Sequence, residues 1–141
     1  NEKTSFKINQ NFRELTRNEK KEEKIINTKG RKFTIEKFYN GIARFKFDEL
    51  CDVIIGAEEY INISKLCNHI FIEEIPIFNN DNLNQQLRFI TLIDILYENK
   101  IALTLSLTSQ LKNLSSSKKN SEVFKRTLSR LAEMTVKNQL H

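Results

Sequence analysis

Two places in this 141-residue sequence set charged side chains at a spacing that chemistry could use. The first is Ile70-Phe71-Ile72-Glu73-Glu74, where an apolar run delivers two carboxylates to what would be the carboxyl end of a strand. In open α/β sheets ligands bind at that end, and an acidic pair there can hold magnesium and polarise water. With no phosphate-binding loop beside them, the plainer reading of Glu73 and Glu74 is a strand end with solvated or salt-bridged acids. The second place is Arg126, Arg130, Glu133 and Lys137, whose spacing puts them on one helix face, opposite Phe124, Leu128 and Leu131. Two guanidiniums one turn apart can grip a phosphate or a carboxylate through forked hydrogen bonds. The alternative is a solvated face that pairs internally, Arg130 with Glu133 and Glu133 with Lys137.

Other reactive residue types are sparse, and no residue is assigned a catalytic role. His69 opens an apolar run and reads as a satisfied core or edge histidine. Cys51 and Cys67 are widely separated and accompanied by only His69 and His141, which excludes a zinc site or a disulfide framework. They read as small buried hydrophobes, and two unpaired thiols fit a reducing compartment. Gly30, Gly41 and Gly56 are the only glycines, and none forms a Gly-x-Gly cluster or precedes Lys-Ser or Lys-Thr. A phosphate-binding loop or dinucleotide fingerprint within these residues is therefore excluded. The net charge of +5 is spread through mixed runs such as Glu19-Lys20-Lys21-Glu22-Glu23-Lys24, a solvated face rather than a nucleic-acid patch.

The elements that must position these residues follow from periodicity. Phe6, Ile8, Phe12 and Leu15 mark a short helix over 6–17, and the charge run after it reads as a linker. Alternation in 24–47, broken at Lys29-Gly30 and Asn40-Gly41, predicts a three-stranded antiparallel meander. Helix and strand then alternate. A helical turn is expected at 48–51, a helix at 57–67 with Tyr60, Ile63, Ser64 and Cys67 on one face, and a strand at 69–75 ending before Pro76. A largely buried helix over 82–99, capped by Asp81, and a strand at 101–107 complete a right-handed βαβ unit. Residues 110–120 read as a loop, and a last helix from Ser121 turns Val123, Phe124, Leu128 and Leu131 inward. The expected class is α/β, α+β on the N-terminal side: residues 1–23 a helix and charged linker, 24–141 one α/β domain. No apolar run suffices for a membrane helix, so contact with a membrane is at most peripheral.

Six motif pieces occur in a fixed order: Gly30-Arg31; Phe45-x-Phe47-x-Glu49-Leu50-Cys51; Gly56-Ala57-x-Glu59-Tyr60; Ile70-Phe71-Ile72-x-x-Ile75-Pro76; Arg88-Phe89-Ile90-x-Leu92-Ile93-Asp94-x-Leu96-Tyr97-Glu98; and Phe124-x-Arg126-Thr127-x-Ser129-Arg130-Leu131-x-Glu133-Met134. Together they resemble the C-terminal part of the ZapE-type, AAA+-like P-loop ATPases, a family that includes a bacterial cell-division protein and mitochondrial lactation-elevated proteins. The resemblance runs from about Phe12 to Gln139. It implies a C-terminal portion of an ATPase whose phosphate loop lies upstream, so that ATP and magnesium serve the full-length family and are not bound by this chain alone. By analogy with AAA+ machines, Arg126 and Arg130 would sense nucleotide or contact a neighbouring subunit. The implied partners are the upstream ATPase core, further copies of the protein, and a division-machinery or protein substrate, with no nucleic acid. The implied location is the bacterial cytoplasm or, alternatively, the matrix side of the mitochondrial inner membrane. The competing reading is a non-enzymatic module that docks an acidic partner through its cationic last helix. One departure concerns His69: Cys67-Asn68-His69 stands where the family usually has Phe-His-Thr.

Overall fold

Two tight turns decide the first half of the fold. In the computed structural model, which describes residues 2–108 and 120–135, Lys29 and Gly30 have φ of 50° and 80°, and Asn40 and Gly41 have 49° and 90°. Left-handed conformation at two successive residues matches the twist of the flanking strands, and Asn-Gly adopts it at little cost. These turns join β1 (Glu22–Thr28), β2 (Arg31–Tyr39) and β3 (Ile42–Lys46) into the expected antiparallel meander. Gly41 has a second constraint: a Cβ there would lie 3.0 Å from Asn68 Nδ2. Its carbonyl accepts from the amides of Asn68 and His69, which lead into β4 (His69–Ile75).

That contact welds the two halves together. β4 pairs in parallel with β3, from Ile42↔His69 to Lys46↔Glu73, and β5 (Ala102–Leu107) pairs in parallel with β4. The result is one mixed five-stranded sheet in the order β1-β2-β3-β4-β5. The crossover from β3 to β4 carries α2 (Phe47–Cys51) and α3 (Ala57–Leu66), and that from β4 to β5 carries a 3-10 turn (Asn80–Asn82) and α4 (Leu83–Glu98). The flanking helices are α1 (Glu2–Thr16) and α5 (Ser121–Met134). β4 is an inner strand covered on both faces, which is why Ile70-Phe71-Ile72 is a continuous buried run rather than an alternating one.

The sheet is unequal on its two sides. Ile35, Ala43, Phe45, Ile70, Ile72 and Leu103 meet Tyr60, Ile63, Phe89, Leu92, Ile93 and Phe124 in the main core beneath α3, α4 and α5. Each Ile, Leu or Phe among them contributes about 1.5–3 kcal/mol on full burial. On the other face α1 packs Ile8 and Phe12 over Phe71, with the Phe12 ring edge-on to Phe71 at 5.1 Å and to Tyr39 at 5.2 Å.

Three local expectations are corrected. β1 begins at Glu22, inside the charged run read as linker, because pairing with β2 recruits that end of it. Asp81 is exposed and caps nothing. Asn79 instead accepts from the Asp81 amide at 2.8 Å and donates its own amide to Asn82 Oδ1 at 2.9 Å, closing the 3-10 turn so that α4 starts at Leu83. In α5 Phe124, Thr127 and Leu131 form the inward stripe with Leu128 partly buried against the core as expected, while Val123 is 45% exposed. The expected loop at 110–120 lies, except for Asn120, outside the described residues. Among the described residues no helix is long and apolar enough to cross a membrane.

Candidate functional site

The helix pair α4 and α5 brings together side chains from the last two motif pieces. α5 lies on α4 through Phe124, Thr127 and Leu131, so positions one side of that stripe overhang the rim of α4, and long arginine side chains can reach back across it. Arg126 Nη2 donates to Asp94 Oδ2 at 3.1 Å and Arg130 Nη1 donates to Asp94 Oδ1 at 2.5 Å. One carboxylate thus holds two guanidiniums, one on each oxygen. Arg130 is the better sheltered, its side chain 21% exposed and its guanidinium carbon 4.7 Å from the centre of the Tyr97 ring, a cation–π distance. Arg126 is 55% exposed and presents its remaining donors outward. Glu133 joins the edge of the cluster: its carboxylate accepts from Tyr97 and holds that phenol above its ordinary value.

This arrangement differs from the internal pairing that spacing suggested. The described partner of Arg130 is Asp94 on α4, because a carboxylate fixed on a packed neighbouring helix costs less side-chain entropy to engage than a free one on the same face. Lys137 lies outside the described residues. Asp94 and Tyr97, both in the fifth motif piece, are neighbours of the arginines that the sequence reading did not assign to the site. The signal was present: Asp94 sits three residues before Tyr97 on a helix otherwise dominated by apolar side chains.

Glu73 and Glu74 are not brought to a common point. Glu73 is part-buried on the α1 side of the sheet and pairs with Arg44, whose guanidinium also donates to Asn9 and stacks 4.8 Å over Phe12. Glu74 is exposed at φ 60°, where the β4–β5 register slips, and its amide donates to Ser106 Oγ at 3.1 Å. At this strand end Glu73 is salt-bridged and Glu74 is exposed. Among the described residues no group of three His, Cys, Asp or Glu side chains could hold a metal ion.

The remaining singled-out residues are inward-facing. His69 stacks on Phe71 with ring centres 4.8 Å apart and its Nε2 lies 2.7 Å from Thr104 Oγ1, and burial lowers its basicity. Burial pushes the thiols of Cys51 and Cys67 up to about 12, far from the thiolate form a nucleophile needs. Beside Cys51, the buried Tyr60 hydroxyl donates to the Leu50 carbonyl at 2.6 Å.

With this geometry in place, comparison with known proteins is decisive. The profile of the AFG1-like ATPase family matches residues 1–141. The chain belongs to the AFG1-like ATPase family. This is the relationship that the six ordered motif pieces indicated. A curated AFG1-like relative, Lactation elevated protein 1 homolog B of Danio rerio, is 29% identical over 109 residues, covering 76% of this chain and 22% of that protein. The chain therefore spans about a fifth of the length of that relative. No solved structure matches.

Proposed function

We propose that this chain is the C-terminal, arginine-bearing portion of an AFG1-like ATPase, unable to hydrolyse ATP alone and acting with a phosphate-binding part that these residues do not contain. Family membership and the lack of a Gly-rich loop among its three glycines support this reading. The observation that carries the assignment of residues is Asp94 holding Arg126 and Arg130 side by side at the surface. A guanidinium oriented in advance loses less freedom when it meets an anion. In this reading the phosphate-binding part holds magnesium and ATP. Arg126, the more exposed, meets nucleotide phosphates or a neighbouring subunit, and Arg130, braced on Tyr97, is a positioning residue. We further propose that the partners are the ATPase core, other copies of the assembled protein, and a protein client in division or quality control. The proposed place is the bacterial cytoplasm, with the matrix side of the mitochondrial inner membrane as the alternative.

A dock for an acidic partner on α5 is the second reading. Such a partner would have to displace Asp94 from both arginines, and Lys125 is already 3.3 Å from Glu122. The test is steady-state ATP hydrolysis by the intact gene product. Arg126→Ala is expected to lower kcat at least about tenfold with little change in KM, the signature of an interaction made in the transition state. An unchanged kcat in both Arg126→Ala and Arg130→Ala would overturn the assignment.

A further inference from the structure

Toward their N-terminal ends α4 and α5 are joined a second time, by amide side chains. Gln86 on α4 is wholly buried, and Asn120, the residue before α5, is nearly so. Asn120 Nδ2 donates to Gln86 Oε1 at 3.3 Å. At its other end Gln86 Nε2 donates to the Asn79 carbonyl and, at 3.0 Å, to Asn82 Oδ1. A primary amide carries donors on one arm and an acceptor on the other, so this one side chain links the 3-10 turn, α4 and the start of α5. Apolar contacts follow the same route. Phe78, just before the turn, lies edge-on to Phe124 of α5 at 5.6 Å and tilted against Phe89 of α4 at 5.5 Å.

The two joints share one register. Gln86 and Asn120 are 34 positions apart in the chain, and Asp94 is 32 and 36 positions from Arg126 and Arg130, the same offset on average. α4 and α5 therefore run parallel, with Gln86 and Asp94 about 12 Å apart along the α4 axis. Sliding α5 by one residue shifts its side chains by about 1.5 Å and turns them by about 100°, which takes both guanidiniums off Asp94. The apolar stripe of Phe124, Thr127 and Leu131 resists such a slide only through packing, and apolar packing tolerates rearrangement. The amide joint is stricter, because a slide breaks directional hydrogen bonds between groups shielded from solvent. A single buried amide can fix the register of packed helices in this way.

We propose that Gln86 is a positioning residue for the arginine pair: through Asn120 it pins the register of α5 on α4, and so sets where Arg126 and Arg130 stand over Asp94. The 3-10 turn, α4 and the arginine-bearing helix then move as one body. The pin concerns the helix pair itself, while its effect on catalysis rests on the reading in which Arg126 serves an ATPase.

The test measures kcat and KM for ATP hydrolysis by the intact gene product. Gln86→Met, which keeps the length of the side chain and removes the amide, is made in the parent and in Arg126→Ala. In the parent it is expected to lower kcat about three- to tenfold, since ångström-scale misplacement is costly at a reacting centre, with KM changed less than about twofold. In the Arg126→Ala background it is expected to lower kcat less than about twofold, because the group it positions is gone. No loss in the parent, or equal losses in the two backgrounds, would overturn the proposal. Should Gln86→Met fail to fold, Asn120→Ala cuts only the link to α5 and is expected to act in the same direction, by about two- to threefold. A readout without ATP separates the pin from the ATPase reading. In urea denaturation of the 141-residue chain, the coupling between Asp94→Asn and Arg130→Ala is expected to fall by about half or more once Asn120→Ala is present. An undiminished coupling would overturn the pin whatever the ATPase shows. A diminished coupling beside an Arg126→Ala variant of normal kcat would uphold the pin and overturn the ATPase reading alone.

Discussion

Asp94 is the residue on which the candidate site turns, and its removal has a calculable cost. Replacing it with Asn keeps the shape and takes away the charge that both arginines share. A fully exposed ion pair contributes roughly 0–1 kcal/mol, whereas breaking a buried one costs about 3–5 kcal/mol. Asp94, at 30% exposure, and Arg130, at 21%, lie between these limits, while Arg126 at 55% is close to the exposed one. Solvent screening discounts the larger figure, so Asp94→Asn is expected to cost about 1–2 kcal/mol. For a chain of this size that is a fall in Tm of roughly 3–8 °C. Double-mutant cycles in urea denaturation should apportion it, with the Asp94–Arg130 coupling larger than the Asp94–Arg126 coupling and both reduced by salt. A variant as stable as the parent, or a coupling dominated by Arg126, would refute the view that Asp94 anchors Arg130 and only orients Arg126.

Three further outcomes are expected. Burial lowers the folded-state pKa of His69 below its ordinary value of 6.5. The stability it contributes is therefore complete above that value and lost as pH falls through the folded one, so Tm should decline on acidification and His69→Gln should flatten the decline. Because burial holds Cys51 and Cys67 near 12, a thiol reagent at neutral pH should label the folded chain far more slowly than the denatured one, and equally fast labelling would contradict their packing. Gly41→Ala combines φ of 90° with a contact at 3.0 Å to Asn68, and is expected to cost about 1–3 kcal/mol by chemical denaturation, more than Gly30→Ala, whose added Cβ meets nothing within 4 Å.

The fold was legible wherever local chemistry and tertiary packing ask for the same thing. Asn40-Gly41 encodes a tight turn in two residues, and β4 could be read to the residue because its apolar run ends just before Pro76. The parallel pairing of β3 with β4 was not legible, since it joins segments more than twenty residues apart and no local periodicity records it. Asp81 was misplaced for a different reason. Asn79, Asn80, Asp81 and Asn82 all have side chains that can close turns, and only the packing of Leu83 onward selects among them. At the site, helix periodicity placed Arg126 and Arg130 together but not their counter-ion, because the partner of a long side chain on a packed helix is set by the neighbouring helix. The amide joint of Gln86 and Asn120 was invisible for the same reason. Its members come from two helices and a turn that meet only in the folded chain.

The central claim, that this chain completes an ATPase it cannot be by itself, is tested most directly by phosphate release from Mg·ATP. The purified 141-residue chain is compared alone and after addition of the phosphate-loop-bearing part of an AFG1-like ATPase. The account predicts no turnover above background from the chain alone, and turnover on combination that falls about tenfold or more with Arg126→Ala. Turnover by the chain alone that persists when Arg126 and Arg130 are both replaced by Ala would contradict it.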